Sequence, residues 1–169
     1  MAESLNKRCA LDVNFLLDLA ERRDFALAFL ELAGEYYCPL CLCPTAFIEL
    51  EYLAKTGAPK QKKAAAISVN SLHKWAVYVF DLTPVEHGCT KEFARRLIRK
   101  GYLDEEEYND GLILGEAGCF GIPILVTSDS HLLDIPQNVV TAELRAADFF
   151  PTVVASPQKI VRIARRNWL

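Results

Sequence analysis

Asp12, Glu49, Asp110 and Asp129 are the residues of this chain whose positions point most directly to chemistry. Asp12 ends the apolar run Cys9-Ala10-Leu11, and Asp129 ends Ile124-Leu125-Val126-Thr127-Ser128. Glu49 lies among Ala46, Leu50 and Leu53, and Asp110 among Ile113, Leu114 and Ala117, both at helical core spacing. An unpaired carboxylate on a core-facing position loses its hydration, so four of them require positive charge nearby. If the four converge, their repulsion raises their pKa values unless a cation holds them ionised. All-oxygen donors select Mg²⁺ or Mn²⁺. The three histidines, none spaced to pair with another, argue against a zinc hydrolase. An oxygen-ligated cation of this kind activates water and neutralises a scissile phosphate, which is the chemistry of phosphodiester hydrolysis.

Each acid taken alone also has a local explanation. Asp12 can cap the helix after it, Glu49 can sit at the core's edge, Asp110 can pair with a base, and Asp129 can begin a turn. Their joint occurrence favours a site. Asn14 serves either as a helix cap or to orient Asp12 or a metal-bound water, while Thr127, Ser128, His131 and Asp134 are at most supporting residues.

The elements that must position these side chains alternate between short apolar runs and helical patterns, as in a mainly parallel α/β sheet. A first strand over about Arg8 to Val13 leads into a helix Phe15 to Leu32, with Asn14 as its N-cap. A second strand near Tyr37 to Cys43 runs into a helix with Pro44 in its first turn, which carries Glu49 to about Lys55. Gly57 separates it from a helix of roughly Lys60 to Trp75, and Val77 to Leu82 reads as a strand. Thr83-Pro84-Val85-Glu86 is a capping box for a helix that ends at Gly101. Asp104 caps the next helix, whose Glu105-Glu106-Glu107 suits the positive end of the macrodipole and which holds Asp110. Ile124 to Ser128 is the clearest strand; weaker ones are expected near Val139-Val140 and Val153, before a basic helix from Ser156-Pro157 to about Asn167. In such a sheet ligands bind beyond the carboxyl ends of the strands, where Asp12 and Asp129 both fall.

The 169 residues suit one domain, 1–169, with a substantial core. A net charge of −3 excludes coating of nucleic acid by bulk charge. Basic clusters at Arg22-Arg23, Lys60 with Lys62-Lys63, Arg95-Arg96 with Arg99-Lys100, and Arg162 with Arg165-Arg166 leave room for a local basic rim. Met1 to Arg8 is polar and no apolar stretch is long enough for a bilayer, so no signal peptide, no membrane and a cytoplasmic location are expected. The six cysteines are expected to be reduced. Cys38, Cys41 and Cys43 lack a second ligand pair for zinc and read as small apolar residues of a buried strand.

At this point the chain resembles PIN-domain nucleases. The resemblance rests on Leu11-Asp12-Val13-Asn14-Phe15-Leu16-Leu17, on Glu49-Leu50 after Pro44-Thr45, on Asn109-Asp110 before Ile113 to Ala117, and on Val126-Thr127-Ser128-Asp129 followed by Leu132-Leu133. The late Ser156-Pro157 leading into a last helix is similar too, so the match runs from Ala10 to about Ile160. It implies a three-layer α/β/α sandwich with a central, mainly parallel sheet and Mg²⁺- or Mn²⁺-dependent endoribonuclease activity. Asp12, Glu49, Asp110 and Asp129 match the family's acidic, metal-binding quartet, and Asn14 its frequent polar partner. Many bacterial members are toxins of type II toxin–antitoxin pairs, so an RNA substrate, an antitoxin partner and a homodimer are implied. The chain departs from the family pattern over Lys60 to Tyr102, where the region is long. The second class of function is a non-catalytic PIN-like RNA-binding or regulatory module. A phosphoacceptor receiver domain fits less well, because Leu11-Asp12-Val13 lacks the adjacent acidic pair.

Overall fold

Short runs of continuous apolar residues suit strands covered on both faces, and five of them form one all-parallel sheet in the computed structural model, which describes residues 8–166. The strands are β1 (Cys9–Leu11), β2 (Leu40–Leu42), β3 (Val77–Val79), β4 (Ile124–Val126) and β5 (Val153–Ala155), in the order β3-β2-β1-β4-β5. β1 is central: Cys9 is in register with Leu40 and Ile124, and Leu11 with Leu42 and Val126. β1 and β2 are buried throughout. The helices are α1 (Val13–Ala20), α2 (Asp24–Glu35), α3 (Pro44–Thr56), α4 (Pro59–Ser71), α5 (Pro84–Arg99), α6 (Tyr108–Cys119), α7 (Ser130–Leu133), α8 (Gln137–Ala146) and α9 (Pro157–Arg166). They complete the α/β/α sandwich expected from the sequence, of the PIN-like class.

Local chemistry explains most boundaries. Thr83 and Glu86 form the expected capping box, and Pro84 opens α5. Gly101, at φ +75, follows its end in a conformation that suits glycine. α3 begins at Pro44, where the buried Glu116 carboxylate accepts from the Thr45 backbone amide at 3.1 Å and from its hydroxyl at 2.6 Å. Asp104 and Glu107 close a second capping box around the 3₁₀ turn Glu105–Glu107 ahead of α6. α5 and α6 pack closely because Gly111 has no side chain; a Cβ there would lie 3.0 Å from the Ala94 Cβ.

Four expectations need correction. The single helix Phe15 to Leu32 is two helices, because Arg22 takes a left-handed conformation, φ 59, and breaks the run. Its cap is Asp12 and not Asn14: the Asp12 carboxylate accepts from the Val13 amide. Val139-Val140 belongs to helix α8, where Val140 and Leu144 are buried one turn apart. Gln137 ties that helix to the sheet edge through the Thr152 carbonyl and the Val154 amide. Finally, β2 starts at Leu40, so Cys38 lies before the strand and is only half-buried, whereas Cys41 and Cys43 are buried as expected. The closing helix is described to Arg166, and Asn167 lies outside the described residues.

Candidate metal centre

Strand order places the site. The chain runs from β1 outward through β2 and β3 on one side, and β4 and β5 occupy the other. The crevice between the carboxyl ends of β1 and β4 is therefore the switch point of the sheet, and Asp12 and Asp129 stand on its two sides. Asp12 Oδ1 accepts from the Val13 amide at 2.7 Å, and Oδ2 accepts from the Thr127 hydroxyl at 2.7 Å. The same hydroxyl oxygen accepts from the Asp129 amide at 2.9 Å, so Thr127 joins the two strand-end aspartates. Asp129 caps α7 through its Oδ1, which accepts from the His131 amide at 2.8 Å. Its Oδ2 accepts from the Asn14 side-chain amide at 3.1 Å.

Glu49 on α3 and Asp110 at the start of α6 face the same crevice, and the electrostatics register it. Burial pushes Asp110 up to about 7, and the carboxylates of Asp12, Asp129 and Glu49 add to that. Burial likewise pushes Asp12 up to about 6, against the hydrogen bonds from Thr127 and Val13. Glu49 is raised by burial and by Asp129, with a hydrogen bond from Asn109 opposing. Only Asp12 is a core residue, 2% exposed; Glu49, Asp110 and Asp129 are half-buried at the rim, which corrects the sequence-based expectation that all four are core positions.

The sequence did not single out His131 as more than a supporting residue. Its Nδ1 lies 3.3 Å from Asp129 Oδ1, 3.9 Å from Asp110 Oδ2 and 3.1 Å from Glu107 Oε1. One ligand atom each from Asp110, Asp129 and His131 falls within 4.8 Å of the others, which suits a single ion.

These donors fit a divalent cation. Among the described residues no lysine or arginine forms an ion pair with any of the four acids, and a bound cation would favour their ionised forms. A cavity of about 460 Å³ runs alongside, lined in part by Asn14, Ser128, Arg23 and Lys60. The Ser128 hydroxyl in its wall is buried and, among the described residues, has no hydrogen-bond partner. The basic rim is smaller than the sequence suggested, since Arg96 and Lys100 both pair with the buried Glu143, at 2.9 and 2.6 Å.

The three-layer sandwich with this strand order is a PIN-like fold. A solved structure with the same fold is a chain of VapBC2 from Rickettsia felis, crystallised bound to a DNA fragment from their promoter. The two chains share 17% identity over 88% of this chain and 98% of that one, with a TM-score of 0.62. No family model and no curated protein matches the sequence.

Proposed function

We propose that this chain is a metal-dependent endoribonuclease that cleaves RNA phosphodiester bonds, and that it is the toxin of a type II toxin–antitoxin pair. The observation that carries the proposal is the convergence of Asp12, Glu49, Asp110 and Asp129 at the sheet's switch point, with no lysine or arginine paired to them among the described residues. The likeness to a chain of the VapBC2 assembly supports a protein partner, which we take to be an antitoxin, and the homodimer rests on the family resemblance alone. A cytoplasmic location accords with this, and among the described residues no helix is long and apolar enough to cross a membrane.

Asp12, Asp110, Asp129 and His131 would hold Mg²⁺ or Mn²⁺, and Glu49 completes the acidic set. When bound, such an ion lowers the pKa of water and offsets the charge that develops on the phosphate. Asp12 is fixed by two hydrogen bonds, so its free lone pairs keep one direction. Asn14 and the α7 amide do the same for Asp129. Glu49 and Asp110 would position the attacking water or a second ion, and Glu49, which is outside the ligand set, is suited to take the water's proton. The adjoining cavity, lined in part by Asn14 and Gln61, takes the RNA strand.

Asp12→Asn and Asp129→Asn test the proposal. Each variant is expected to keep its circular dichroism and to lose Mg²⁺-dependent cleavage of a mixed RNA substrate by at least about a hundredfold. A folded variant that cleaves as fast as the wild type overturns the assignment of the site, whereas a wild-type chain that binds the RNA and does not cleave it favours the non-catalytic RNA-binding reading.

A further inference from the structure

The sheet's opposite end carries a second cluster that the acidic site does not use. Cys38 Sγ donates to Cys9 Sγ at 3.2 Å, across 29 residues of sequence. Strand register sets this contact. Cys9 is opposite Leu40 in the parallel pair, and Cys38, two residues earlier, projects to the same face. Cys41 is in register with Ala10 and projects to the other face, where it is buried and donates to the Cys9 carbonyl oxygen at 3.4 Å. The turn at Tyr37, φ 51, and the hydrogen bond from the Cys9 amide to the Pro39 carbonyl hold Cys38 beside the start of β1.

We propose that Cys9 and Cys38 are a reversible thiol–disulfide couple, closed by exchange with small-molecule disulfides. A disulfide needs the sulfurs at about 2.05 Å, so closure takes an approach of about 1 Å. The pair opens into an apolar cavity of about 250 Å³, lined also by Phe29, Ile124, Ile160 and Ala164, through which a small disulfide reaches the half-exposed Cys38. Cys9 is 4% exposed, so Cys38 reacts first. The hydrogen bond with Cys38, and then burial, hold the Cys9 thiol far above its ordinary range, which keeps it protonated until Cys38 has reacted.

The exchange balances in two displacements. Cys38 gives up its proton, and its sulfur attacks one sulfur of RSSR, breaking the S–S bond and releasing RS⁻. Cys9 then loses its proton, and its sulfur displaces the second RS⁻ from Cys38. The two protons end on the leaving thiolates, so two protein thiols are oxidised and one RSSR is reduced to two RSH. The product joins the start of β1, whose other end leads into Asp12, to the segment leading into β2.

The test uses the full chain equilibrated with oxidised glutathione, alkylated and digested for mass spectrometry. A Cys9–Cys38 crosslinked peptide is expected, reversed by a dithiol, with a melting temperature raised by roughly 5–10 °C. Cys38→Ser, at the more exposed position, is expected to abolish the crosslink, and Cys41→Ser to leave it. Failure to crosslink at any glutathione ratio, a mixed disulfide that stops at Cys38, or loss of the Cys9–Cys38 crosslink in Cys41→Ser overturns the proposal.

Discussion

Replacing Asp110 by Asn removes a charge from the middle of the acidic cluster and gives opposite effects with and without metal. The Asp110 carboxyl is held at about 7 where its ordinary value is 3.8, first by burial and then by Asp12, Asp129 and Glu49, with His131 pulling the other way. Its side chain is 17% exposed, so solvent screens little of this. A tenfold displacement of a protonation equilibrium is about 1.4 kcal/mol, and the ionised group therefore costs the metal-free fold roughly 4 kcal/mol. The neighbouring carboxylates titrate with it and share protons, which leaves about 2–4 kcal/mol recoverable. The folded chain holds this proton more tightly than the unfolded chain. Wild-type stability from this group therefore falls as pH rises from about 4 to about 7, and is level above that. In EDTA, Asp110→Asn is expected to exceed the wild type in urea unfolding by about 2–4 kcal/mol near pH 8, and to match it near pH 4. Mn²⁺ then reverses the order, because the wild type gains about 1.4 kcal/mol for each tenfold excess over its Kd while the variant binds weakly. A metal-free variant less stable than the wild type near pH 8, or an order that Mn²⁺ leaves unchanged, would refute the convergence of charges on which this reasoning stands.

Three further substitutions probe the supports of the site. His131→Ala is expected to lower Mn²⁺ affinity roughly tenfold in calorimetry and Mg²⁺ affinity less, since a nitrogen donor favours the softer ion; equal losses would place His131 outside the ligand set. Thr127→Val removes the donor to Asp12 and the acceptor for the Asp129 amide, and is expected to cost about 2–4 kcal/mol in urea unfolding. That loss should be greater near pH 8 than near pH 4, because the lost bond favours ionised Asp12. Gly111→Ala gains about 1 kcal/mol of helix propensity, yet its Cβ meets the Ala94 backbone at 3.1 Å. A net loss of about 1–2 kcal/mol is expected, together with weaker Mn²⁺ binding as the neighbouring Asp110 shifts; a stabilised variant with full metal affinity would contradict it.

The parts of the fold that sequence made legible are those governed by local chemistry. Thr83 and Glu86, Pro44, and the apolar run ending at Asp129 fix their elements through capping, ring geometry and burial on both faces, and each appears where expected. Tertiary partners decided the rest. Arg22 breaks a continuous helical pattern beside Glu21, which pairs with Arg23 and Lys60 from a distant helix. Val139 and Val140 have strand propensity, but Gln137 pins their segment as a helix against β5. His131 was underweighted because only the folded chain brings Glu107 and Asp110 to the residue that follows the Asp129 cap.

Burial alone does not mark a carboxylate as functional here; its partner does. Glu116 is 1% exposed and Glu143 5%, both deeper than Glu49, Asp110 and Asp129. Glu116 is satisfied by the Thr45 amide and hydroxyl and fastens α3 to α6. Glu143 takes Arg96 and Lys100 and fastens α8 to α5. Glu143 therefore has cationic partners that stay with the fold, while Glu116, raised by burial against its bonds from Thr45, has none of the four site acids among the groups that raise it. Asp110, Glu49 and Asp12 are destabilised by one another, and their hydrogen bonds from Thr127, Val13 and Asn109 only partly offset burial. A fold that keeps such repulsion at the switch point of its sheet is stabilised by whatever cation it binds, so the free energy missing from the metal-free cluster becomes affinity for the ion.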